Sequence, residues 1–348
     1  MIRLVIDTMG GDNSPDAPVE GAIMALREHE DLYVIFTGDQ ETVKATIEKY
    51  GGIDDSRYGI EHAPDVITGE DKPTDAVRLK RESSMIKAIK LLRQNDDIDG
   101  MVSTGATGAL VAASTVRIGR VEGVVRPAFC PIVPTLKGGV TGICDSGANV
   151  DCTPAQLLQF SIMGKLYMQA VFGIEKPRIA MLNIGTETEK GDDLHKKVYK
   201  MLAKVHGDQF VGNMEGRDLL SGNYDLIVSD GFSGNILIKT TEGTALQMLK
   251  LIKTQIYSKA KYKIGAMFMK QMFADIKGLM DYQNYGGSVL LGTEKIVVKG
   301  HGSSTAKSFA KCIDQAIMMM SHNLNSRIAE EIAAAEAVLA QEEKPAEE

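Results

Sequence analysis

The chain has 348 residues, 44% of them hydrophobic and 24% charged, so it can bury a full core without disulfide or metal staples. A net charge of −7 argues against a general nucleic-acid surface, and any acidic partner must meet a local basic patch. No apolar run approaches the roughly 18 residues of a membrane span, and MIRLVIDTMG reads as a strand rather than a signal peptide; a cytosolic location is expected.

Strands are expected at LVIDTM, LYVIFTG, GMVSTG, VTGICDSG, RIAMLNIG, YDLIVSD and KIVVKGHG. Helices are expected at PVEGAIMALREH, SMIKAIKLLRQ and PAQLLQFSIMGKLYMQA. The alternation predicts an α/β fold with a mainly parallel sheet. Most of the strands end in Gly, Asp, Asn, Ser or Thr, and ligands of such sheets sit at strand carboxyl ends, so these clusters are expected to converge on one cleft.

In chain order, IDTMGGDNSPDAP places Asp7 near the end of the first strand, followed by Gly10 and Gly11. The glycines allow positive φ and close approach of backbone to a ligand, and Asp12 or Ser14 is placed to cap a helix starting near Pro18. MVSTGATGAL then runs a strand into Ser103, Thr104, Gly105, Thr107 and Gly108 and on into a helix. Backbone N–H groups at such a turn, with the positive end of the helix dipole, form an anion cradle. It has neither GxGxxG nor GxxxxGK[ST] spacing, so no dinucleotide or nucleoside-triphosphate loop is indicated.

GVVRPA carries Arg126, which either grips phosphate through its fork or pairs with a surface acid. In DSGANVD, Asp145, Asn149 and Asp151 around a glycine turn either bind a ligand or cap the helix after Pro154, with capping the safer account. NIGTETEKG leaves a strand with Asn183, Thr186, Glu187 and the possible phosphate clamp Lys190. DGFSGN, with Asp230, Ser233 and Asn235, resembles a nucleophile elbow but has Asn235 where GxSxG needs glycine. KGHGSS sets His301, Ser303 and Ser304 at a strand end before a helix, a second possible anion cradle with His301 as a proton or oxyanion donor.

Between these, residues 258–282 place Ile264, Met267, Phe268, Met272 and Ile276 near helical spacing with a fringe of lysines. Such a face packs in a core, lines a dimer interface or rests on an anionic membrane. The segment 328–348 is a good helix former that turns into an acidic tail and is expected to fray. Cys130, Cys144, Cys152 and Cys312 show no metal-ligand spacing and are read as reduced thiols, with no metal site.

Taken together, DTMGGD, STGATGAL, GVVRPA, DSGANVD, NIGTETEKG, GNMEGRD, DGFSGN, NYGG and KGHGSS resemble the bacterial phosphate acyltransferase family, the acyl-ACP:phosphate acyltransferases of phospholipid synthesis, over residues 1 to about 325. The resemblance implies conversion of long-chain acyl-ACP and inorganic phosphate to acyl phosphate and free acyl carrier protein, without a cofactor. It also implies an α/β/α sandwich with a mainly parallel mixed sheet, similar to isocitrate and isopropylmalate dehydrogenases and to phosphotransacetylase. On this view residues 1–327 form a single large domain, with 258–282 a membrane-facing or dimer-facing excursion. A homodimer, peripheral contact with the inner membrane face, and delivery of acyl phosphate to a membrane glycerol-3-phosphate acyltransferase are implied as well.

Thiolate is a competent leaving group and phosphate an ionised nucleophile, so positioning and charge stabilisation are enough and no covalent serine is required. The catalytic candidates are Lys190, His301, Asp230 and Asn235. Candidates for holding phosphate or substrate are Asp7, Gly10, Gly11, Ser103, Thr104, Gly105, Thr107, Gly108, Arg126, Asn183, Thr186, Ser303 and Ser304. The competing readings are a phosphotransacetylase-like enzyme that takes acyl-CoA and a non-catalytic lipid- or carrier-binding protein.

Overall fold

The computed structural model describes residues 1–279 and 285–341. The first part of the chain forms β1 (Ile2–Asp7), α1 (Asp16–Glu28), β2 (Leu32–Gly38), α2 (Gln40–Lys49), β3 (Tyr58–His62), α3 (Pro73–Leu79), α4 (Ser84–Gln94), β4 (Gly100–Ser103) and α5 (Thr107–Arg117). Next come β5 (Ala128–Cys130), β6 (Ile132–Pro134), β7 (Val140–Cys144), α6 (Pro154–Phe172), β8 (Ile179–Asn183), α7 (Asp193–His206), β9 (Phe210–Glu215) and β10 (Leu226–Val228). The chain continues with α8 (Gly231–Ser258), α9 (Ala260–Phe268), α10 (Lys270–Leu279), β11 (Ser288–Leu291), β12 (Ile296–Lys299), α11 (Ala306–Ser321) and α12 (Leu324–Ala340).

The fold is α/β, with the strands divided between two mixed, mostly parallel sheets, ordered β3-β2-β1-β4-β12-β11-β5 and β6-β7-β10-β8-β9. Period-2 alternation explains the layers. Leu4 and Ile6 of β1 face a core shared with α1, α2 and α11, while Val5 faces Met85, Ile89 and Leu110 of α4 and α5. In the second sheet Met181 and Leu226 join the first of these cores with α6, while Ile143, Ala180 and Ile227 face Ile238 of α8. One core thus runs beneath both sheets, and α6, buried along most of its 19 residues, lies within it.

All seven expected strands are present. The strands not expected, β3, β5, β6, β9 and β11, are sheet edges or runs of three to four residues, too short or too exposed for a clear apolar pattern. The expected capping of α1 is corrected: its N-cap is Pro15, with no side-chain cap, and Ser14 bonds the carbonyl of Gly10 instead. Thr153, not the Asp145 group, caps α6, through a reciprocal box with Gln156.

In the expected tail, α12 packs on α6 and α7, burying Ile328, Ile332 and Ala335, and Glu331 pairs with Lys165 at 2.6 Å. Its isoleucines recur at the four-residue spacing of one helix face, which supplies the apolar stripe that holds it. Residues 342–348 of that tail, Asn284 of the NYGG motif, and Met280, Asp281 and Tyr282 of the excursion lie outside the described residues.

The 258–282 segment forms α9 and α10, with breaks at Lys259, whose backbone is extended, and at Met269. It follows α8, whose 28 residues span about 42 Å. Ile264, Met267, Phe268, Met272 and Ile276 are all exposed, so they do not pack in this chain's own core. Leu246, Leu249 and Ile252 of α8 are exposed too. No helix among the described residues is long and apolar enough to cross a membrane.

Candidate active site

Parallel pairing brings three strand ends side by side. Asp7 of β1 and Lys299 of β12 are both register partners of Ser103 on the intervening β4. Each follows an inward residue by two positions (Val5, Met101 and Val297), so all three side chains lie on the face toward α4 and α5. All three are buried.

Asp7 accepts hydrogen bonds from Ser84 Oγ and Ser103 Oγ, each at 2.6 Å, and Ser103 Oγ also accepts from the Gly105 N–H at 3.0 Å. Burial raises the Asp7 pKa, opposed by its hydroxyl and backbone donors and by the charge of Lys299. Lys299 donates to the carbonyl oxygen of Thr104 at 3.3 Å and to that of Gly300. Burial lowers its pKa to about 8.

The loops after these strands interlock at glycines. A Cβ on Gly10 would lie 2.6 Å from the backbone of Gly105, and Gly11, at φ +93°, would place one 2.7 Å from Thr104 Oγ1. Thr104 Oγ1 donates to the Gly10 carbonyl at 2.5 Å, and the Asp12 N–H donates to Gly302 O at 2.7 Å. Asn13 reaches the carbonyls of Ser303 and Ser304. Between the loops lies a cavity of about 360 Å³, lined by Gly11, Asp12, Thr104, Gly105, Thr107 and Lys299 on one side and by Val66, Ile67 and Thr68 on another. The first turn of α5 opens here, and its N-cap, Ala106, supplies no side-chain acceptor to its amides. Backbone donors and a buried ammonium thus meet in one concavity, which suits an anion.

A larger concavity of about 490 Å³, between Lys90, Arg93, Val116 and Arg117, lies at the opposite ends of α4 and α5 and has neither a glycine turn nor a buried titratable group.

His301 lies at the rim, its Nδ1 2.8 Å from Ser303 Oγ. Burial, followed by the charge of Lys299, lowers its pKa, so it is neutral at pH 7. At KGHGSS, Thr305 caps the first turn of α11, Ser304 is buried, and Gly302 lines the cavity.

Other predicted residues lie apart from this cavity, several of them at the strand ends of the second sheet. Asn183 is buried and holds the following loop by donating to Lys190 O at 3.1 Å and accepting from the Ile184 N–H at 2.8 Å. Thr186 and Lys190 are exposed on that loop, Gly108 is exposed beside Pro73, and Arg126 is exposed between α5 and β5. Asp230 caps α8 by accepting from the Ser233 N–H at 2.8 Å, which makes DGFSGN a helix start and not a nucleophile elbow. Asp145 is buried and binds the amides of Phe129, Ser146 and Asn149. A Cβ on Gly234 would fall 2.1 Å from its carbonyl oxygen, so α8 begins in contact with this loop.

Asn235, Lys239 and Glu242, spaced four and three apart, share one face of α8. Asn235 lies beside Gly147 of the Asp145 loop, and the charges of Lys239 and Glu242 act on His301. The start of α8 therefore joins the two groups. Lys299 and Ser84 were not singled out from the sequence. The signal for Lys299 was present: strand alternation in IVVK puts the lysine on the same face as buried Val297.

A family model described as "Fatty acid synthesis protein" matches residues 2–327. The chain belongs to this family. It is 43% identical over 329 residues to a protein named phosphate acyltransferase from Clostridium acetobutylicum, covering 94% of this chain and 98% of the relative. A phosphate acyltransferase from Clostridioides difficile is 41% identical over 316 residues, covering 91% and 92%. The family member described here is an acyl-transferring enzyme.

Among solved structures, a phosphotransacetylase from Streptococcus pyogenes aligns with TM-score 0.58 at 17% identity, covering 91% of this chain and 93% of that one. A branched-chain phosphotransacylase from Enterococcus faecalis V583 aligns at 0.54 and 16%, covering 91% and 98%. These likenesses concern the fold, and they meet the expectation of a phosphotransacetylase-like architecture.

Proposed function

We propose that this protein transfers a long-chain acyl group from acyl carrier protein to inorganic phosphate, giving acyl phosphate and free carrier protein for phospholipid synthesis. The observation that carries the reading is the 43% identity, over nearly the whole chain, to a protein named phosphate acyltransferase. The anion-suited cavity under α5 supports it.

In this reading a phosphate oxygen attacks the thioester carbonyl carbon. The C–O bond forms, the C–S bond breaks, and the thiolate leaves to take up a proton. The STGATG turn holds phosphate, and neutral His301 offers an N–H to the developing oxyanion or to the departing sulfur. Asn235 and Lys190, with Arg126, serve the thioester side of the cleft, and Asp230 contributes by fixing the start of α8. Neither a metal nor a cofactor enters the reaction.

The protein works as a homodimer against the inner membrane face, in the cytoplasm. Exposed Leu246, Leu249 and Ile252 on α8 suit a second copy of the chain, and Met267 and Phe268, with Lys259, Lys261, Lys263 and Lys270 nearby, suit an anionic membrane surface. There a membrane glycerol-3-phosphate acyltransferase takes the acyl phosphate.

The test is incubation of the purified protein with long-chain acyl-ACP and radiolabelled phosphate, trapping acyl phosphate as a hydroxamate, with acyl-CoA in a parallel reaction. Product from the carrier-protein donor is expected. Product from acyl-CoA alone would replace the donor, and no product from either would defeat the reading.

A further inference from the structure

A lysine is almost never buried without a partner. Lys299 is only 7% exposed, yet its ammonium rests on two neutral carbonyl oxygens, those of Thr104 and Gly300. The nearby buried carboxylate, Asp7, has both oxygens engaged by the hydroxyl protons of Ser84 and Ser103. The ammonium therefore carries charge that carbonyl dipoles only partly offset, in surroundings where such charge is costly. It also lines the cavity onto which the first turn of α5 opens without a side-chain cap. An anion entering that cavity meets the ammonium and the helix amides together.

We propose that Lys299 is the residue that binds the phosphate substrate, with Asp7 acting as a positioning residue that keeps its charge in place. This rests on the phosphate acyltransferase reading and names its phosphate-binding cation. Lys190 and Arg126, by contrast, are exposed on other loops, where solvent weakens their hold on an anion. The charged and titratable groups around Lys299 are Asp7 on β1, Asp12 before α1, Lys239 on α8, Cys312 on α11 and His301 in its own loop. Burial leaves Lys299 charged at pH 7 and lets it discharge above about 8.

The experiment is a phosphorus NMR titration of inorganic phosphate into the full-length protein, with no acyl donor, comparing wild type with Lys299→Met, Lys299→Arg and Lys190→Ala. Lys299→Met is expected to weaken phosphate binding by about tenfold or more, the worth of a charge-assisted contact, with Lys299→Arg retaining part and Lys190→Ala nearly all. Wild-type affinity for Lys299→Met, or no phosphate binding by the wild type, would overturn the proposal. If the methionine variant fails to fold, a wild-type pH series decides. Affinity should fall about tenfold between roughly pH 8 and 9.5, where phosphate stays a dianion and ordinary lysines remain charged, and an unchanged affinity would overturn the proposal. Failure of the acyl-transfer reading would appear separately, as absence of hydroxamate from the wild type, because this titration needs no donor.

Discussion

Ser103 donates its hydroxyl proton to Asp7 at 2.6 Å while accepting the Gly105 N–H at 3.0 Å, so one side chain ties the buried carboxylate to the turn that leads into α5. Ser103→Ala removes both bonds in a buried site and is expected to cost about 1–3 kcal/mol. At about 1.4 °C per kcal/mol for a chain of 348 residues, calorimetry should show a melting temperature lower by roughly 1.5–4 °C. A melting temperature within a degree of wild type would mean that the link does not matter.

Gly10→Ala inserts a methyl group where the backbone of Gly105 lies 2.6 Å away, and neither loop has a flexible side-chain end that can yield. The two loops must separate, which displaces the amides at the start of α5. The expected result is at least a tenfold loss in kcat/KM for phosphate, of the order that misplaced positioning groups cause. Gly265→Ala, at a site in α9 with nothing within 4 Å of the added carbon, is the matching control for a substitution distant from the cavity.

His206 is buried between α6 and α7 with its Nε2 2.7 Å from Ser161 Oγ, and burial, with the charge of Lys165, lowers its pKa to about 4. Its folded-state pKa lies below the unfolded value of about 6.5, so the neutral form is the one the fold favours. The stability this contributes is present above pH 6.5 and is lost as pH falls toward 4, about 3 kcal/mol in all. Urea midpoints from pH 7 to 4 should fall less steeply for His206→Asn than for wild type. The difference between the two isolates this histidine from Asp7, whose raised pKa acts with the opposite sign.

Phe268 is 88% exposed and Met272 42%. Replacing both with aspartate should abolish co-flotation with anionic vesicles while leaving turnover of soluble acyl-ACP within about twofold, since surface changes away from a site cost little. Flotation at the wild-type level would remove α9 and α10 from membrane contact.

Ile332 is 1% exposed on α12, so Ile332→Ala is expected to cost about 2–4 kcal/mol through lost burial and the cavity left behind. A chemical-denaturation curve unchanged from wild type would mean that α12 does not dock in solution.

The seven expected strands and three expected helices were legible because each carries an apolar run or period bounded by turn residues. So were the glycine turns at 10–11 and 104–105, because the chemistry of a tight turn is local. The edge strands β3, β5, β6 and β9 were not, because a strand paired on one side only carries a weak apolar pattern, and the docking of α12 was not, because Ile328 and Ile332 stand among alanines and glutamates that read as a solvated helix. The Asp145 group looked like helix caps because only the fold brings Phe129 beside it.

What the sequence determined by itself was the inventory: an α/β alternation, polar clusters at strand ends, and motif wording that pointed to a phosphate acyltransferase. What only the tertiary structure decided was which clusters share a wall. Parallel pairing sets Asp7, Ser103 and Lys299, nearly 300 residues apart in the chain, in one row, whereas Lys190 and Asn183 leave the other sheet. Strand order is fixed by packing across the whole molecule, and no local pattern encodes it. The burial that leaves a lysine short of compensation arises in the same way, once the sheet and its covering helices close around it.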